Sequence, residues 1–172
     1  YLRSQGLDLR LNSPIASYEE MADGIKIHLK DGTALETDMV LLAIGVSPDT
    51  QLAKEAGLTL GAKDAIVVDE HLQTSDKDIY AVGDAIQVSH FVSGLEAVIP
   101  LAGPANKQGR IAADNICGRQ STYQGSQGSS IIKLFDMTCA STGLNEKTAQ
   151  AAGIKYDKAV SYTHLTLPTK LE

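Results

Sequence analysis

Thr74-Ser75-Asp76-Lys77-Asp78-Ile79-Tyr80-Ala81-Val82-Gly83-Asp84 is the stretch on which the reading of this chain turns. A polar loop runs into apolar and aromatic residues that stop at a Gly-Asp pair, and the pattern predicts a strand over residues 78–82. In α/β sheets, ligands bind beyond the carboxyl ends of strands. A glycine there has no Cβ and lets a ligand approach the backbone. The aspartate beside it can accept a strong hydrogen bond from a sugar-type hydroxyl. Gly-Asp by itself is an ordinary turn; the whole string is far more specific.

Downstream, residues 101–117 read as the best helix of the chain. Pro104 lies in its first turn, where a missing N–H costs nothing, and Gly118 follows its end. Ala105, Gly109, Ala112, Ala113 and Ile116 form a stripe of small residues, which predicts close packing against a neighbour. Residues 120–130 are polar and glycine-containing and read as a linker. Beyond them, 131–135 and 137–140 read as strands, 144–152 as a helix stopped by Gly153, and 154–160 as another strand.

Upstream, Tyr1 to Gly6 reads as the last turn of a helix closed by glycine, so the chain is expected to begin inside a domain. Leu7, Leu9 and Leu11 alternate with polar residues and predict a strand. Residues 14–37 read as a small antiparallel meander, with Asp31-Gly32 as its hairpin turn. Residues 39–45 are continuously apolar and predict a strand buried on both faces. Residues 50–56 read as a short helix before Gly57, and 66–68 as a buried strand. Ser161 to Glu172 continues no pattern and is set aside as foreign to the fold.

Composition narrows the function. The 172 residues are 43% hydrophobic and 21% charged, as in a globular protein, and the net charge of −6 leaves no basic stripe for nucleic-acid phosphates. Six Tyr, two Phe and no Trp offer few stacking platforms for bases. The apolar run at 39–46 is far too short for a membrane span. Cys117 and Cys139, with no C-x-x-C, read as small buried hydrophobes of a reducing compartment, and the cytoplasm is the expected location. His28, His71, His90 and His164 have no metal spacing, and His90 reads as an exposed loop residue. Asp64, Asp69 and Glu70 read as a solvated loop. No catalytic residue and no metal site is expected in the chain.

The string from Thr74 to Asp84 resembles the second flavin-binding motif, T-x-x-x-x-I-Y-A-x-G-D, of the FAD-dependent pyridine nucleotide-disulfide oxidoreductases. Ala43, Gly45, Pro48, Asp49 and Thr50 are similar to the A-x-G-x-x-P-[ND]-T segment at the junction of that family's NAD(P) and FAD domains. The likeness continues through residues 101–110, 131–136 and 141–147, where it is closest to the NADH oxidase, NADH peroxidase and coenzyme A-disulfide reductase branch. The resemblance implies an α/β fold: part of a Rossmann-like flavoprotein with two dinucleotide-binding domains, followed by the start of an α+β dimerisation domain. Residues 1–46 would close the NAD(P) domain, 47–120 would supply the second part of the FAD domain, and 121–160 would open the dimerisation domain.

The implied activity passes hydride from NAD(P)H through FAD to a disulfide, peroxide or oxygen, in a homodimer acting on a small molecule. The implied cofactor-binding residues are Thr74, Tyr80, Gly83, Asp84, Ala85, Leu101, Ala102, Ala105, Asn106 and Gly45. Asp84 would hold the ribityl chain. The helix start from Leu101 to Asn106 would face the pyrimidine side of the flavin, where its partial positive charge favours the reduced ring. Neither G-x-G-x-x-G fingerprint is present, and the family's reactive cysteine falls outside the chain. The chain alone is therefore expected to bind FAD weakly and not to turn over. A second reading is a non-enzymatic α+β interaction module derived from such a flavoprotein. Retention of Gly83-Asp84 and of the 100–110 turn favours the enzyme.

Overall fold

Alternation and turn chemistry build the first part of the chain. In this computed structural model, which describes residues 1–161, Tyr1–Val46 forms one compact unit and a second begins at Ser47. Of the stretch expected to be foreign to the fold, Ser161 is irregular and residues 162–172 lie outside the described residues. Leu2–Gln5 is a single 3-10 turn closed by Gly6. Strands β1 (Ile15–Met21), β2 (Gly24–Leu29) and β3 (Ala34–Thr37) form the expected antiparallel meander, in the order β1-β2-β3. The Asp31-Gly32 turn is fixed by the Asp31 carboxylate, which accepts from the Thr33 amide at 2.9 Å and the Thr33 hydroxyl at 2.7 Å.

Two expectations in this unit fail. Leu7, Leu9 and Leu11 form no strand: the Leu9 amide turns back on the Leu7 carbonyl, and the Leu9 carbonyl accepts from Arg3. Alternation supplies a face, but no strand among the described residues pairs with it. Residues 39–45 are likewise irregular, and Leu41 and Ile44 are 86% and 88% exposed. No strand among the described residues pairs with this run, so its apolarity goes unburied.

The second unit is organised around a short sheet. Helix α1 (Gln51–Glu55) follows the buried Thr50, whose hydroxyl donates to the Asp64 carbonyl at 2.7 Å. Strand β4 (Ile66–Val67) pairs in parallel with β5 (Ile86–Ser89), which pairs antiparallel with β6 (Glu96–Ala97). β4 is half-buried. β5 carries no sequence expectation above, yet it is central: Ile86 and Val88 point into the core, and Gln87 and Ser89 away from its deepest part. The core gathers Leu72, Ile86, Val88, Ile111, Ala112 and Tyr123, with Tyr80 and Ala81 packed against it. Leu72 reaches it through a loop wrapped on Asp69, whose carboxylate accepts from the His71 and Gln73 amides.

Residues 78–82 are not a strand. Tyr80 bridges Gln73, and the Ala81 amide donates to the Leu72 carbonyl, so the segment doubles back on the preceding loop instead of extending a sheet. Helix α2 (Ala102–Ile116) forms as expected, with Gln108, Ile111 and Ala112 on its buried face. Of the small-residue stripe, Ala112 is in the core and Ala105 is half-buried, but Gly109, Ala113 and Ile116 are exposed, so the stripe is a packing seam only in part.

Residues 120–130 are bolted down more firmly than a linker. Tyr123 is buried and its amide donates to the Glu70 carbonyl at 2.7 Å, while Asn115 holds Ser121 through both its amide nitrogen and its carbonyl oxygen. Strands β7 (Ser130–Leu134) and β8 (Met137–Ser141) make a hairpin with little cover on either face. Cys139 on β8 is exposed for that reason, and Cys117 because it ends α2 on the solvent side, so neither is the buried hydrophobe expected. Helix α3 (Glu146–Ala151) starts with a reciprocal cap between Asn145 and Thr148. Residues 154–160 form no strand; Tyr156 and Lys158 instead turn back to Glu146. His90 is half-buried, with Nδ1 accepting from the Ser93 amide at 3.3 Å. Asp64, Asp69 and Glu70 are exposed.

Candidate cofactor-binding site

The doubled-back segment ends in extended backbone at Val82 and enters a 3-10 turn, Gly83–Ala85. Gly83 takes φ +82°, a left-handed conformation in which an L side chain is strained. Its amide donates to Gln108 Oε1 at 2.7 Å, and α2 packs against the turn. The Asp84 side chain is thereby exposed at the rim of an open concavity of about 720 Å3, whose other walls are Ala102, Ala105, Asn106, Gly109, Arg110 and Ala113 of α2.

The start of α2 completes the geometry. Leu101 precedes the helix in extended conformation and provides no side-chain cap, and the first turn holds no acidic residue. Pro104 removes one donor from that turn, leaving the Ala102 and Gly103 amides as its leading N–H groups. The Asn106 side chain lies along the helix, Nδ2 donating to the Ala102 carbonyl at 2.9 Å. The result is a shallow, small-walled surface with a carboxylate at one edge and a partly positive helix end at another.

The structure gathers most, but not all, of the expected residues. Gly83, Asp84 and Ala85 form the turn; Leu101, Ala102, Ala105 and Asn106 form the facing start of α2. Thr74 is engaged elsewhere: its hydroxyl donates to the Asp76 carbonyl and accepts from the Asp76 amide, closing the loop that precedes Tyr80. Tyr80 packs on the core with its hydroxyl accepting from Gln73. Gly45 lies in the Tyr1–Val46 unit, at φ +94°.

Three wall residues, Gly109, Arg110 and Ala113, carry no expected site role above. They share a helical face with Ala102, Ala105 and Asn106, and the i, i+3, i+4, i+7 spacing was the signal that could have found them. Gln108 was also missed; its signal is a single carboxamide amid the apolar residues of the buried face.

The donor set fits one end of a flavin nucleotide. Asp84 supplies an acceptor for a polyol, the α2 start suits a ring that gains negative charge, and Ala102 and Ala105 at that start are too small to block a flat group. Among the described residues the concavity is lined by one cation, Arg110, and by no glycine-rich loop on a helix start, so these residues offer no cradle for a pyrophosphate.

The sequence profile of the family described as pyridine nucleotide-disulphide oxidoreductase matches residues 1–109. The NAD(P)H sulfur oxidoreductase (CoA-dependent) of Pyrococcus furiosus is 36% identical over 158 residues, which cover 92% of this chain and 35% of that protein. The crystal structure of reduced CoADR-RHD from Bacillus anthracis matches with a TM-score of 0.86 and 46% identity, over 91% of this chain and 28% of that one. The water-forming NADH oxidase from Lactobacillus brevis, bound to NADH, matches with a TM-score of 0.83 and 34% identity, over 88% of this chain and 33% of that one. The chain spans about a third of the length of the relatives it matches, and its α/β fold is the one these proteins adopt over the shared stretch.

Proposed function

This chain belongs to the pyridine nucleotide-disulphide oxidoreductase family, and on that premise we propose that the Asp84 turn and the start of α2 hold the ribityl and pyrimidine end of FAD in an enzyme that oxidises NAD(P)H. The observation that carries the reading is the shared concavity: Asp84 and the uncapped helix start line one surface together with Ala105, Asn106, Gly109, Arg110 and Ala113. Bound FAD supplies the two-electron relay from nicotinamide to acceptor. The chain's own residues bind and orient. The Asp84 carboxylate accepts a charge-assisted hydrogen bond from a ribityl hydroxyl. The leading amides of α2 stabilise negative charge at the ring edge without moving. Ala102 and Ala105 keep that edge unobstructed.

The electron acceptor in this proposal is a disulfide, a sulfur species, peroxide or oxygen. The kinship with the sulfur oxidoreductase and the NADH oxidase supports that range. Residues 1–46 close the NAD(P)-binding domain, 47–120 belong to the FAD-binding domain, and 121–160 begin the region through which two subunits pair in a cytoplasmic homodimer. The break between compact units after Val46 supports the first boundary, and the exposed β7–β8 hairpin supports the pairing surface.

The test is FAD affinity of the protein carrying this chain, read by quenching of flavin fluorescence. A hydrogen bond to a charged group contributes about 1.5–3 kcal/mol, so Asp84→Asn is expected to weaken FAD about tenfold or more while leaving the thermal midpoint in place. Equal affinity in the two proteins refutes the proposal.

A further inference from the structure

Resting on the flavin reading above, we propose that Gln108 is a positioning residue, whose carboxamide fixes the Gly83 amide and so aims the Asp84 carboxylate at the cofactor. Gln108 is 2% exposed and sits on the buried face of α2 beside Ile111 and Ala112. A carboxamide at such a position costs desolvation unless it is hydrogen-bonded. An apolar side chain of similar volume would satisfy the packing alone.

The bond that accounts for the carboxamide is Gly83 N–H to Oε1 at 2.7 Å, between residues 25 apart in the chain. It joins the two walls of the concavity directly: α2 carries Ala102, Ala105 and Asn106, and the turn carries Asp84. At its far end the turn is closed by the Ile86 amide on the Gly83 carbonyl, and at its head Val82 makes no side-chain cap bond. Gly83 is left-handed, and Asp84 follows it immediately, so rotation about the Gly83 backbone redirects the carboxylate. Hydrogen bonds weaken steeply with misalignment, and the Gln108 bond removes that freedom before the cofactor arrives.

The test combines amide hydrogen exchange at Gly83 with FAD affinity, in the protein carrying this chain, for Gln108→Met, Gln108→Glu, Asp84→Asn and the Gln108→Met/Asp84→Asn double variant. Gln108→Met fills the volume without a strong acceptor. It is expected to speed Gly83 exchange about tenfold, the upper worth of one neutral hydrogen bond, and to weaken FAD about tenfold only where Asp84 is present. Gln108→Glu keeps an oxygen at the same reach and retains Gly83 protection. Unchanged Gly83 exchange in Gln108→Met, loss of protection in Gln108→Glu, or equal FAD losses with and without Asp84 overturns the proposal. If Asp84→Asn weakens FAD and Gln108→Met does not, the Gln108 role falls and the flavin reading stands. If Asp84→Asn binds FAD as well as the parent, the flavin reading falls and takes this role with it.

Discussion

Two glycines with nearly the same backbone separate conformational strain from steric exclusion. Gly83 has φ +82° and Gly125 φ +88°, so alanine at either meets the same left-handed penalty. That penalty is about 1–2 kcal/mol, offset by about 0.4–1 kcal/mol from the stiffer unfolded chain. At Gly83 the new Cβ would meet only the Ala105 Cβ at 3.9 Å, an ordinary contact, so the net cost is about 1 kcal/mol. At Gly125 the Cβ would overlap the Ser89 carbonyl, which must move. That carbonyl accepts the Ser126 amide at 3.2 Å, and the neighbouring Phe91 amide donates to Ser126 at 3.0 Å. Loss of both bonds adds about 2 kcal/mol, for a total near ~3 kcal/mol. Urea unfolding followed by far-ultraviolet circular dichroism measures the difference. With a slope of about 2 kcal/mol/M, the Gly125→Ala midpoint lies about 1 M below that of Gly83→Ala. Flavin affinity inverts the order, since only Gly83 shapes the Asp84 turn. Equal urea midpoints, or a larger stability loss at Gly83, refute the steric argument.

Ala102→Glu places a carboxylate in the first turn of α2, where it favours the helix but opposes negative charge on a reduced ring; the flavin reduction potential is expected to fall in a spectroelectrochemical titration, with the thermal midpoint no lower than the parent's. The Thr33 hydroxyl and amide hold the Asp31 carboxyl below its ordinary value of 3.8. Its contribution to the hairpin is therefore complete above that value and is lost as pH falls through the lowered one. Carboxyl chemical shifts check this: the Asp31 midpoint moves up in Thr33→Ala, and an identical midpoint in both proteins contradicts it. Leu72→Ala, at a position 0% exposed, is expected to cost about 2–5 kcal/mol in urea unfolding, whereas Leu52→Ala, 83% exposed, stays within about 0.5 kcal/mol.

What was legible in the amino-acid order was local. The meander follows from alternation interrupted by Asp31-Gly32, and α2 from Pro104, Gly118 and the 3.6-residue period between them. Each of those signals acts over a few residues and needs no distant partner. Residues 39–46 show the opposite case: continuous apolarity states a demand for cover, and no strand among the described residues meets it. The small-residue stripe on α2 misled for a related reason. Periodicity identifies which side chains share a face, and in this structure that face borders an open concavity. The candidate site divides in the same way. Gly83 and Asp84 stand out because a glycine and a carboxylate end an apolar run. Gln108 does not, because its significance is a bond to an amide on another element. β5 was hidden by its shortness, although Ile86 and Val88 alternate with Gln87 and Ser89.

The anchoring of residues 120–130 changes what that segment can transmit. Its chain length suggests a slack tether, but Tyr123, Ser126 and Gln127 are each pinned, the last by the Gly143 amide just beyond β8. Little play remains between hairpin and core. A pull on β7 or β8 is passed at Ser126 to Ser89, the last residue of the strand that begins next to the Asp84 turn, so within this unit load on the hairpin reaches the turn as tension along a single β-strand.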